Sequence, residues 1–129
     1  MATYLDSSAV VKLAVQEPES LALRRYLRRR QPLISSALAR TEVLRALLPA
    51  GDEALTRGRS VLQRIDLVRV NDRIQNAAGV LRPPELRSLD AIHLATAQEL
   101  GDELRALITY DDRMVTAARQ LGYRIVQPR

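Results

Sequence analysis

Between Leu89 and Ala97 the chain reads LDAIHLATA, and almost every residue is apolar or small. A helix of that composition has no polar face to offer water, so it must be buried on most sides. Ser88 is a good N-cap residue, which puts Asp90 in the first helical turn, where the helix dipole favours a carboxylate. Asp90 is still a charge at the edge of a buried element, and such a charge needs a partner. The next turn of this helix contains no Lys or Arg. The partner of Asp90 therefore has to come from elsewhere in the chain.

The remaining segments alternate between two periods. Ala2 to Leu5 is short and apolar and runs into Asp6-Ser7-Ser8, a strand ending in a polar turn. Ala9 to Val15 reads as helix. Pro18 suits a first helical turn, and Glu19 to Arg30 continues as an arginine-rich helix. Pro32 to Ser35 is a second short strand, followed by a helix from Ala37 to Leu48 that Pro49 and Gly51 stop. Asp52 can cap a helix reaching Ile65. Leu67 to Val70 has the length and β-branching of a strand. Asn71 caps another helix, which Pro83-Pro84 terminates. After the buried helix, Gly101 is a stop and Ala106 to Tyr110 is a strand. Asp111 or Asp112 caps a helix ending at Gly122, and Arg124 to Val126 closes the chain as a last strand.

Strands alternating with helices predict an α/β domain whose mostly parallel sheet is covered on both faces. With 129 residues, 47% of them hydrophobic, residues 1–129 form one domain with a sizeable core. No linker, repeat or low-complexity tract divides it. Cysteine is absent, which excludes disulfides and thiolate metal sites. The opening MATYLDSSAVV lacks a basic and then apolar leader, and no apolar run approaches a membrane span, so a cytoplasmic protein is expected. The net charge of +5 is carried almost wholly by arginine, Lys12 being the sole lysine. That balance suits a nucleic-acid partner. Four tyrosines are the only aromatic residues, so such a partner would be held through its backbone more than by base stacking.

Four acids sit in otherwise apolar or constrained positions: Asp6 after the first strand, Glu42 within ALARTEVLRALL, Asp90 in the buried helix and Asp111 after ALITY. Asp6 and Asp111 both end parallel strands and so share the edge where ligands bind. Converging carboxylates repel one another unless a cation sits among them. Oxygen donors without cysteine or paired histidines select a hard divalent ion, Mg²⁺ or Mn²⁺, and such ions suit phosphodiester chemistry.

These stretches carry a resemblance. The chain resembles the PIN-domain ribonucleases, and more narrowly the VapC-type toxins of type II toxin–antitoxin pairs. The likeness rests on LDSSAVVKL, on a Ser and then a Glu in SSALARTEVLRAL, on LRSLDAIHLATA and on LITYDDRM, in this order over nearly the whole chain. It implies a three-layer α/β/α sandwich and a metal-dependent endoribonuclease that cuts cellular RNA, leaving 5′-phosphate and 3′-hydroxyl ends. It places the metal-binding acids at Asp6, Glu42, Asp90 and Asp111 and small polar residues at Ser8 and Thr109. It also implies a homodimer and a cognate VapB-type antitoxin that blocks the site within a larger complex. The family's last acid falls two residues after the Thr, which selects Asp111; Asp112 stands where it would contribute through water.

Plainer readings exist for the same residues. Asp6 and Asp111 suit helix caps, and Glu42 alone would pair with Arg45 at i+3. His93, the single histidine, is expected as a buried hydrogen-bonded residue before a general base. Arg24, Arg25, Arg28, Arg29 and Arg30 lie at a helix end that favours cations, with RNA or antitoxin contact as the alternative. A module that binds RNA or protein without cutting is the rival function, although a negative pocket gives a polyanion binder nothing. A phosphotransfer domain with Asp6 as nucleophile ranks lower, because the second Asp expected two residues on is Ser8.

Overall fold

The computed structural model describes residues 1–129. In chain order the elements are β1 (Ala2–Leu5), α1 (Ser7–Ala14), α2 (Ser20–Leu27), β2 (Leu33–Ser36), α3 (Leu38–Leu47), α4 (Asp52–Gln63), β3 (Asp66–Val68), α5 (Asp72–Gly79), α6 (Ser88–Gln98), β4 (Leu104–Ile108), α7 (Asp112–Gln120) and β5 (Ile125–Val126). The strands form one sheet in the order β3-β2-β1-β4-β5. Every pairing is parallel, with Tyr4 beside Ile34 on one side and Leu107 on the other. Strand order reverses between β1 and β4. In an open α/β sheet a ligand crevice forms at that switch, beyond the carboxyl ends.

Two helical layers cover the sheet. On one face α1 to α4 contribute Val10, Leu23, Val43 and Leu62 to a core that includes Leu5, Leu33 and Ile108 from the strands. On the other, Leu94 and Ala97 of α6 and Met114 and Ala118 of α7 pack on Tyr4 and Leu107. A smaller cluster locks α5 to α6 through Ile74, Ala78, Ala91 and Ala95. The expected three-layer sandwich is thus present, and α6 is its most enclosed helix: Ala91 and all five residues from His93 to Ala97 are buried.

Side-chain caps start three of the seven α-helices, with Asp6 at α1. Asn71 accepts from the Ile74 amide at 2.9 Å to start α5, and Asp111 accepts from the Arg113 amide at 2.9 Å to start α7. At the end of α7, Gly122 takes φ 85° and the Tyr123 amide donates to the Ala118 carbonyl, closing a Schellman-type turn. Ser88 departs from expectation. The capping residue of α6 is Arg87, extended at φ −71° and ψ 154°, and Ser88 is already helical and makes no capping bond. Gly51 likewise precedes α4 in place of Asp52. The arginine-rich helix is shorter than its composition suggests, ending at Leu27.

Candidate active site

The turn after β1 makes Asp6 both a cap and a buried anion. Its Oδ1 accepts from the Ala9 amide at 3.1 Å and from Ser8 Oγ at 2.6 Å, and its Oδ2 accepts from Thr109 Oγ1. Ser8 in turn accepts from the Tyr110 amide at 3.0 Å, and Thr109 from the Asp111 amide at 3.1 Å. Ser8 and Thr109 therefore stitch the ends of β1 and β4 together through one carboxylate. Only 4% of Asp6 is exposed. Burial pushes its carboxyl above the ordinary range, against the pull of the Ser8 and Thr109 hydrogen bonds.

Glu42 projects from α3 into a separate chain of hydrogen bonds. Ser7 Oγ donates to its Oε1 at 2.6 Å, and His93 Nε2 meets the same oxygen at 2.7 Å. A carboxylate can only accept, so Nε2 carries the proton. His93 Nδ1 lies 2.8 Å from the hydroxyl of Tyr4, which donates to it when the imidazole is neutral. Burial, followed by the charge of Asp6, holds the Tyr4 phenol in its protonated form. Burial raises the Glu42 carboxyl, but the His93 and Ser7 hydrogen bonds outweigh it and leave the group below its usual range. His93 is 2% exposed, and the expectation of a satisfied buried histidine holds. The Arg45 pairing considered for Glu42 is not formed: its hydrogen-bond partners are Ser7 and His93.

Asp90 has its cation, and it comes from the residue that begins the helix. Arg87 Nε donates to Asp90 Oδ2 at 3.2 Å, and Nη2 of the same guanidinium reaches Asp111 Oδ2 at 3.3 Å. One arginine thus bridges two of the four acids. Its side chain is 57% exposed, against 13% for Asp90 and 30% for Asp111. Asp112, the first residue of α7, is exposed.

In donor type, though not in their present arrangement, the four acids match a hard divalent cation. Every candidate ligand is a carboxylate oxygen, Asp6 is buried without a cation in contact, and a guanidinium already stands between Asp90 and Asp111. As the side chains stand, no three His, Asp or Glu residues gather into the ligand set of one ion. Glu42 is turned to His93 and Ser7, and Arg87 fills the space between the other two. Ser7, Tyr4 and Arg87 were not singled out from the sequence. Ser7 and Tyr4 flank a candidate acid in the first turn, and Arg87 stands three residues before another.

An all-parallel sandwich with acids along its carboxyl edge narrows the class to proteins that work on phosphate groups, and comparison gives the family. The PIN domain family model matches residues 3–120. Ribonuclease VapC46 of Mycobacterium tuberculosis is 62% identical over 127 residues, 98% of both chains. Ribonuclease VapC35 of the same species is 45% identical over 129 residues, covering 97% of this chain and 96% of that one. The chain belongs to the PIN-domain family and, within it, to the VapC group. Among solved structures, the M. tuberculosis VapC20 toxin, described as cleaving the sarcin-ricin loop, superposes with a TM-score of 0.79 at 17% identity over 98% of this chain and 99% of that one. A toxin–antitoxin complex from Klebsiella pneumoniae gives 0.74 at 22% identity, covering 98% of each. At these identities the structural likeness bears on the fold.

Proposed function

We propose that the protein is a divalent-metal-dependent endoribonuclease, the toxin of a type II toxin–antitoxin pair, with Asp6, Glu42, Asp90 and Asp111 as its acids. The observation that carries the reading is the Arg87 bridge: two carboxylates from different elements already share one cation. Mg²⁺ or Mn²⁺ held there would lower the pKa of a water and offset charge building on the phosphate. The chain's own residues prepare for this. Thr109, Ser8 and the Ala9 amide hold Asp6 in one orientation, and Ser7 and the Tyr4–His93 pair do the same for Glu42. Such outer contacts fix ligands before an ion arrives. Asp112, exposed beside Asp111, would contribute through water.

The relatives' names support RNA as substrate, and structural neighbours solved as toxin–antitoxin complexes support a VapB-type antitoxin as partner. A homodimer within a larger toxin–antitoxin assembly and a cytoplasmic location belong to the same reading. No helix is long and apolar enough to cross a membrane.

The test uses labelled structured RNA with Mg²⁺, Mn²⁺ or a chelator, comparing wild type with Asp90→Asn. Cutting that needs the ion, yields 5′-phosphate ends and falls at least about 100-fold in the variant is expected. Equal cutting by the folded variant contradicts the assignment. A metal-raised melting temperature without any cutting, on a panel spanning ribosomal, transfer and messenger RNA, would favour the non-catalytic binding module.

A further inference from the structure

The arginine-rich segment that runs from the last turn of α2 to Arg30 splits in two. Arg24 and Arg28 face a groove lined by Leu13, Leu27 and Val61, while Arg29 and Arg30 turn to the amino edge of the sheet. There they meet Arg105, at the second position of β4, and Arg124, just before β5. These four arginines and Met1 line a depression of about 530 Å³, with no carboxylate among them. None of the four guanidinium groups forms an ion pair. Arg30 is held in place: it lies 4.0 Å from the centroid of the Tyr26 ring, and its Nη1 donates to the Tyr26 carbonyl at 2.8 Å. Its own carbonyl accepts from Thr3 Oγ1 at 2.9 Å, tying the segment to β1.

Four like charges around one hollow repel one another, and an anion seated there would relieve them. The shape of that anion follows from the lining. A protein interface needs an apolar centre, and Met1 is the only apolar residue present. Planar guanidinium groups match phosphate oxygens two at a time. We propose that this amino-edge depression is a binding site for the phosphate backbone of RNA. The inference rests on the RNA reading above and adds to it a second, remote contact. β1 and β4 have four and five residues, so the two edges stand about 13–17 Å apart. One phosphate does not touch both. The arginines would hold the RNA away from the bond that is cut.

The full-length protein is tested in chelator, so that nothing is cleaved, against a fluorescent RNA hairpin with a single-stranded tail, over a series of KCl concentrations. Arg105→Gln/Arg124→Gln is compared with Arg45→Gln/Arg59→Gln, which removes the same charge from exposed positions on α3 and α4. The first pair is expected to weaken binding about tenfold and to flatten the slope of log K against log salt by about 1.4. The control pair should move both by less than half as much. If the double variant melts early, the exposed single change Arg124→Gln should flatten the slope by about 0.7. Identical behaviour of the two pairs overturns the proposal. Displacement of RNA by poly-glutamate at equal charge also overturns it, in favour of an acidic protein. If wild type binds no RNA at all, the RNA reading itself falls.

Discussion

The two edges of the sheet carry opposite charge and are built by opposite means. At the carboxyl edge Asp6, Glu42 and Asp90 are partly or wholly buried, and each is fixed by hydrogen bonds or by Arg87. At the amino edge Arg29 and Arg124 are exposed and unpaired, and of the four arginines there only Arg30 is tied down by stacking. The parallel topology sorts the charges in this way. Four of the five strands feed a helix start at their carboxyl end, where the helix dipole favours anions, and Asp6 and Asp111 cap α1 and α7 there. The helix that returns to the start of β2 ends at the amino edge, where cations are favoured, and Arg29 and Arg30 follow α2 there. The buried edge, with its side chains held by hydrogen bonds, suits chemistry; the exposed one suits a screened contact with a polyanion.

The largest expected effect that would sharpen this contrast lies in the chain behind Glu42. Tyr4→Phe keeps the ring and removes the hydroxyl that His93 Nδ1 meets at 2.8 Å. Cleavage should fall about tenfold, with RNA affinity in chelator unchanged. An unchanged cleavage rate would show that Glu42 needs no such support.

Next comes Arg87, the one arginine at the acidic edge that bridges Asp90 and Asp111. Because its largely exposed guanidinium competes for two carboxylates that a divalent ion would need, Arg87→Gln should bind Mn²⁺ about 2–5-fold more tightly, the scale of an exposed ion pair worth up to about 1 kcal/mol. Calorimetry without RNA measures it. Equal or weaker Mn²⁺ binding would mean that Arg87 supports the ion site instead of competing for it.

The smallest effect is on stability. Burial raises the folded-state carboxyl of Asp6, so the ionised form is the costly one. A raised folded value gives stability that is present below the ordinary carboxylate range and lost as pH rises through the folded value. In chelator near neutral pH, Asp6→Asn should therefore melt about 2–4 °C above wild type. Added Mg²⁺ should raise wild type and not the variant. A variant that melts lower in chelator would show that the hydrogen bonds to Asp6 outweigh its burial.

Much of this architecture could be read from the chain. Strand ends followed by Asp point to one shared edge for Asp6 and Asp111, and the largely apolar run of α6 requires the enclosure it has. What could not be read depends on contacts between distant residues. Tyr4 and His93 are 89 positions apart, Ser7 and Glu42 are 35, and Arg87 and Asp111 are 24; no local period links them. Ser88 illustrates the limit of local preference. Its propensity for the cap position is real, but the chain enters the helix one residue earlier, at Arg87, which then faces Asp90 from the turn below. The arginine run after α2 looked uniform in sequence and is divided between two surfaces by the helix end.

The most direct measurement is Mn²⁺ binding by calorimetry, in the absence of RNA, for wild type and Asp90→Asn. The account predicts saturable binding by wild type that weakens at least about tenfold in the folded variant. Equal binding by the two proteins, or none by wild type, would contradict a cation site built on the acids of the carboxyl edge.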